Sequence, residues 1–157
     1  MAIQLIANFK KQTKGILYLP DPRLREISKK VDSINDSVNE IVQELISILR
    51  IVDKPYKIWL GMAAPQIGYN IRIIALRESY RKYTVMINPE VLEQKWLLPT
   101  ITACYSLPGI YLRRHHLYFK IKYMDLKGKD HTIIFKGGKA ATFQQEIDHI
   151  NGVLACD

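Results

Sequence analysis

The apolar residues of this chain change their period partway along it, and that switch limits the folds open to it. Between Ser37 and Val52 they recur at helical spacing, as Val38, Ile41, Val42, Leu45, Leu49 and Val52, on one face of a helix. Ser37 and Glu40 form a capping-box pattern at its start, and Pro55 stops it. Beyond it the pattern is that of strands. Ile71 to Leu76 is a short isoleucine-rich run, and Thr84 to Ile87 is another, closed by Asn88-Pro89. Leu117 to Met124 alternates, with Phe119, Ile121 and Tyr123 on one face and Lys120 and Lys122 on the other. Asp125-Leu126-Lys127-Gly128 reads as a turn and Thr132 to Phe135 as the return strand of a hairpin. After Gly137-Gly138 a final helix spans about Ala140 to Ile150, with Asn151-Gly152 as its stop. Helix, strands, then helix implies an α+β fold, with mixed or antiparallel strands around the last helix.

No repeat, low-complexity tract or linker interrupts residues 1–157, which read as a single domain whose first 15 residues are an N-terminal extension. The first twenty residues carry no acid and include Lys10, Lys11 and Lys14, yet lack the arginine and serine of a transit peptide. No apolar run approaches the roughly 20 residues that span a bilayer, so the expected location is the cytoplasm. Cys104 and Cys156 are too few for a disulfide framework and read as free thiols or ligands. The net charge of +8 fits either a basic solvated surface or attraction to a polyanion such as ribosomal RNA. The basic residues are spread along the chain without a block of five, which favours the solvated surface.

Three segments carry chemistry. Gly61-Met62-Ala63-Ala64-Pro65-Gln66-Ile67-Gly68 sets small residues around a proline and one amide. Small side chains admit close backbone approach, and Gln66 can donate to a developing oxyanion. Cys104-Tyr105-Ser106-Leu107-Pro108-Gly109 offers a soft thiolate, although a lone cysteine is more often a small buried hydrophobe. Gln145-Glu146-Ile147-Asp148-His149 sets Gln145 and His149 one helical turn apart, on one face. This is the H-E-x-x-H pattern with its first histidine replaced.

Together these segments resemble the signatures of the peptide deformylase family, G-x-G-L-A-A-x-Q, E-G-C-L-S and H-E-x-D-H, in the same order. Leu17 to Arg25, Ile87 to Glu90 and Asn151 to Leu154 extend the likeness from about Ile16 onward. The resemblance implies a peptide deformylase-like fold. It also implies a hydrolase with one Fe2+ or Zn2+ ion that removes formyl from the N-terminal methionine of nascent chains. Carried over by position, Cys104 and His149 are metal ligands, with Gln145 in the third ligand position. Glu146 becomes the general base and proton shuttle. Gln66 and the backbone amide of Tyr105 form the oxyanion hole, Gly61 lends backbone to the peptide, and Asp148 orients the helix. N-formyl-methionyl peptides are the expected partners, with the ribosome as a further partner through the basic surface, and the protein is expected to be a monomer.

Departures from the pattern bear on activity. Gln145 offers a neutral amide oxygen, a poorer ligand than imidazole. Thr102-Ala103 stands where the family has Glu-Gly, Trp59 where it has a small residue, and Tyr105 where it has leucine. His115 and His116, in an arginine-rich segment read as a loop, are candidate replacement ligands. His131 reads as a strand residue and Cys156 as packing. The competing function is a pseudoenzyme that binds peptide N-termini without hydrolysis.

Overall fold

A computed structural model describes residues 15–55 and 59–157. The N-terminal extension read from sequence therefore lies, apart from Gly15, outside the described residues. The first helix, α1 (Asp36–Val52), buries Val38, Val42, Leu45, Ile48, Leu49 and Val52. Its cap is Asn35, whose side chain accepts from the Val38 amide at 3.0 Å. The expected cap at Ser37 is thus displaced by two residues. Asn35 has the same capping chemistry and the extended backbone a cap needs, so the helix starts one residue earlier than its apolar stripe suggests. Asp53 caps the other end, two residues before Pro55.

Five antiparallel strands pair in sequence order: β1 (Gly61–Ala63), β2 (Ile73–Ser79), β3 (Lys82–Thr102), β4 (Tyr111–Met124) and β5 (Asp130–Lys136). One parallel bridge, Lys29 to Ile71, lies beside the sheet. The second helix, α2 (Gly138–Ile150), packs on β4, β1, β5 and β2. The two helices cover opposite faces of β2. Ile73 and Ala75 belong to the core shared with α1, whereas Ile74 and Leu76 belong to the core shared with α2. A strand covered on both faces needs no polar alternate, which explains its unbroken apolar run.

Two strands run further than the sequence suggests. β3 continues through Asn88-Pro89, where register shifts and Asn88 turns to a φ of 49°. Asparagine tolerates that left-handed conformation, and its side chain pairs with the Val31 amide and carbonyl, both at 2.8 Å. β4 begins at Tyr111, so the segment read as a loop is a strand. Its residues Tyr111 to Tyr118 pair with the far end of β3. The pairing, not local propensity, extends it.

The turn between β2 and β3 is tied to the end of α1. Asp53 accepts from the Arg81 amide at 2.8 Å and the Tyr83 hydroxyl at 2.7 Å, and Arg77 Nε lies 3.0 Å from its other oxygen. A third, small cluster of Leu24, Cys104, Leu107, Leu154 and Ala155 holds the loop after β3 against the segment after α2.

Candidate active site

β1 with the turn after it, the loop after β3, and α2 meet at one cavity of about 830 Å³. The turn Ala64–Ile67 brings Gln66 back over its own strand, where Oε1 accepts from the Ala63 amide at 2.9 Å. That bond aims the Gln66 NH2 group at Ser106 Oγ, 3.1 Å away, and toward Cys104 Sγ at 3.6 Å. Cys104 Sγ lies 3.2 Å from His149 Nε2, and the Ser106 amide faces the sulfur at 3.4 Å. Gly61 is needed for packing. A Cβ there would fall 2.7 Å from Leu76 Cδ2 and 2.8 Å from Glu146 Cγ, so the Glu146 side chain lies against bare backbone. Tyr105 lines the same cavity, half-buried.

Gln145 reaches the cavity but its carboxamide is engaged. Thr102 Oγ1 donates to Gln145 Oε1 at 2.5 Å, and Gln145 Nε2 donates to the Ala103 carbonyl at 3.1 Å. A carbonyl only accepts, so Ala103 fixes which end of the amide points where. Sequence gave no sign that Thr102 and Gln145 were partners.

Electrostatics follow from burial. Desolvation, with Glu146 adding, pushes the Cys104 thiol up to about 12. Desolvation, with Asp148 adding, pushes Glu146 up to about 8. Burial, reinforced by Arg113, holds His149 down to about 4, a neutral imidazole with a lone pair to give. Asp148 is raised to about 6 by burial, against the pull of Arg113.

Asp148 pairs with Arg113 of β4. Arg113 Nη1 meets its carboxylate at 3.2 Å and the Leu154 carbonyl at 3.0 Å, pinning α2 beside His149. This arginine was not assignable from sequence, because its partners lie 35 and 41 residues away. Ser106 was also missed; its position two residues after Cys104 in the same motif was the available signal.

His115 is buried on β4 with Nδ1 bonded to Thr100 Oγ1, and the His116 amide donates to Gln144 at 2.7 Å. Among the described residues no three His, Cys, Asp or Glu side chains converge on one cation position. The histidine pair therefore does not replace the missing ligand. Strand pairing turns His115 to Thr100, and the ring of His116 to Phe119. His131 pairs with Asp125 at 2.6 Å on β5, and Cys156 is exposed beside Arg25 rather than packed. It follows the buried Leu154 and Ala155 on a turn that faces outward.

The polypeptide deformylase family model matches residues 13–157. The chain belongs to that family. A peptide deformylase of Baumannia cicadellinicola is 36% identical over 152 residues, 90% of this chain and 84% of that protein. One from Desulforudis audaxviator is 30% identical over 144 residues, 90% of each. Among solved structures, the Synechococcus elongatus peptide deformylase bound to actinonin has a TM-score of 0.80 at 29% identity, covering 90% of this chain and 76% of that one. The Thermotoga maritima peptide deformylase has 0.78 at 29%, covering 90% and 94%. The deformylase fold expected from sequence is therefore borne out, and with it the assignment as a hydrolase of a metal-dependent family.

The donors suit a borderline-soft divalent cation at two positions. Cys104 Sγ and His149 Nε2 already share one spot, and Glu146 Oε2 is buried with no hydrogen-bond partner among the described residues. Gln145 could add its oxygen through the lone pair that the Thr102 hydroxyl leaves, or by giving that hydroxyl up.

Proposed function

We propose that the chain removes the formyl group from the N-terminal methionine of new polypeptides, in the cavity between β1, the Cys104 loop and α2. The observation that carries this reading is the convergence of Gln66, Cys104 and His149, with contacts of 3.6 Å and 3.2 Å, beside the buried carboxyl of Glu146. Cys104 and His149 would hold one ferrous iron or zinc ion, with the Gln145 carboxamide oxygen as a weaker third donor. When bound, the ion supplies Lewis acidity that makes a water nucleophilic near neutral pH.

The remaining steps belong to the chain's own side chains. Glu146 takes the proton of the attacking water and returns it to the departing amine. Gln66, with its oxygen fixed by the Ala63 amide, keeps its NH2 group aimed at the formyl oxygen as charge develops there. The backbone amide of Tyr105 is the second donor, and Gly61 offers its backbone to the peptide. Asp148, clamped by Arg113, fixes the α2 backbone that carries His149. We place this activity in the cytoplasm, in a monomer whose basic surface faces the ribosome. Among the described residues no helix is long and apolar enough to cross a membrane.

A second reading, peptide binding without hydrolysis, is favoured by the Thr102–Gln145 bond, which weakens an already poor third donor. The test is formate release from an N-formyl-methionyl peptide by anaerobically prepared protein, beside its iron and zinc content. Formate release with near-stoichiometric metal supports the enzyme. A folded, metal-free protein that binds the peptide and releases no formate supports the second reading.

A further inference from the structure

The face of α2 that lines the cavity is made by Gly138, Ala141, Thr142 and Gln145, spaced at three, four and seven residues. It ends at the reacting groups on one side and at Trp59 on the other. A Cβ on Gly138 would fall 2.5 Å from the indole Nε1 of Trp59 and 2.6 Å from Cε2, so the ring stands over the bare helix backbone. Gly137 needs its glycine for a φ of 60°, but Gly138 is an ordinary helical residue with no such demand. At this first position of α2 the backbone gives no reason for a glycine. The contact that accounts for it is the indole. Trp59 is nevertheless 53% exposed, so its other face is open to the cavity mouth. It is therefore not a core residue that happens to reach the site.

We infer that Trp59 and Gly138 act as a reciprocal pair that walls the far end of the subsite for the substrate's first side chain, making Trp59 a specificity-determining residue. The inference rests on the deformylase reading for the identity of the substrate. Seven residues of helix separate Gly138 from Gln145, so the slot from wall to reacting groups is about 10 Å long. Its floor is Ala141 and Thr142, both small. Such a slot takes a long, unbranched apolar side chain lying along α2, with its tip against the indole face. A thioether gains there from sulfur–aromatic contact. A bulky aromatic side chain meets the indole before its amide reaches Gln66.

The test uses the full chain with Trp96→Phe. Trp96 is the second of two tryptophans, exposed on β3 away from the cavity lining, so the substitution leaves Trp59 as the sole tryptophan, excited selectively over the tyrosines at long wavelength. Titration with N-formyl-Met-Ala should shift that emission to the blue, saturably, and N-formyl-Phe-Ala should shift it less. In Trp59→Gly the ratio of kcat/KM for the Met over the Phe peptide should fall at least about tenfold, the usual scale of pocket discrimination. Gly138→Ala keeps the helix and forces the indole aside, so it should lower the same ratio and serves if Trp59→Gly does not fold. Hydrolysis in the parent with the ratio unchanged in these variants overturns the inference and leaves the deformylase reading standing. No hydrolysis, but a saturable blue shift selective for the Met peptide, supports the wall and sinks the deformylase reading. Neither hydrolysis nor an emission change sinks both.

Discussion

Replacing Gln145 with histidine should convert a weakly held ion into a tightly held one, and the size of the change can be worked from the site. Gln145 makes two hydrogen bonds, to Thr102 and Ala103. Losing both costs about 1–2 kcal/mol, since each net bond contributes on the order of 1 kcal/mol. At roughly 2–4 °C per kcal/mol for a chain of this size, metal-free Gln145→His should melt a few degrees below the parent. With metal the order should reverse. Losing a group that merely orients a ligand lowers metal affinity about 10–100-fold, so supplying a missing donor should gain at least about a hundredfold. A hundredfold gain corresponds to about 2.7 kcal/mol of added stability at equal free metal, or roughly 5–10 °C. The assay is thermal unfolding of both proteins in buffered zinc and in chelator, with formate release measured alongside. If the zinc-dependent rise is the same in both proteins, Gln145 is not the position where a ligand is lacking, and the argument fails. A mutant that binds zinc tightly but releases no more formate than the parent would place the remaining defect at Thr102 or Trp59.

Gln66→Ala should lower turnover by about a hundredfold, the usual effect of losing one oxyanion donor; unchanged turnover removes Gln66 from that role. Gly61→Ala should push Glu146 and Leu76 aside at an overpacking cost of about 1–3 kcal/mol, and should cut activity far more than stability. Thermal unfolding beside formate release separates the two effects, and a fully active Gly61→Ala protein would show that Glu146 need not sit where it does. Asp53→Ala removes the carboxylate that the Arg81 amide, the Tyr83 hydroxyl and the buried Arg77 guanidinium share, and should destabilise the protein by about 3–5 kcal/mol, read by denaturant unfolding. Burial alone would raise the Asp53 pKa, but the Arg81 amide, the Tyr83 hydroxyl and Arg77 together hold it below the usual carboxylate value. Its contribution is thus complete above about pH 4 and lost as pH falls through the lowered value, so Asp53→Ala should flatten the acid limb of the stability profile. An unchanged limb would assign acid lability to another group.

What the sequence could reveal was set by how local the cause was. The α1 stripe and the Leu117–Met124 alternation are local, and both elements formed. The site motifs were legible because chemistry fixes their residue types, and Cys104 and His149 do meet. The failures share a different origin. β3 beyond Gln94 and β4 before Leu117 pair with each other while keeping much of their surface exposed, so neither shows a buried face to betray it. Asn88-Pro89 looks like a stop, and only the tertiary bonds to Val31 show why the strand passes through. Arg113 with Asp148 and Thr102 with Gln145 are pairs made across 35 and 43 residues, and no window of sequence contains both members.

That same separation decides when the site can exist at all. Gln66 meets Cys104 across 38 residues, and Cys104 meets His149 across 45. Closing such loops carries an entropy cost before any contact rewards it, so ligand pairing waits on the sheet that carries β1 and β3 and on the docking of α2. If Cys104 and His149 hold the ion as proposed, no fragment ending before α2 would bind it, and detaching α2 alone would dissolve the site. Hydrogen exchange at the buried amides of α2 should accordingly measure the lifetime of the metal-binding geometry itself, with ion release no slower than the opening of that helix.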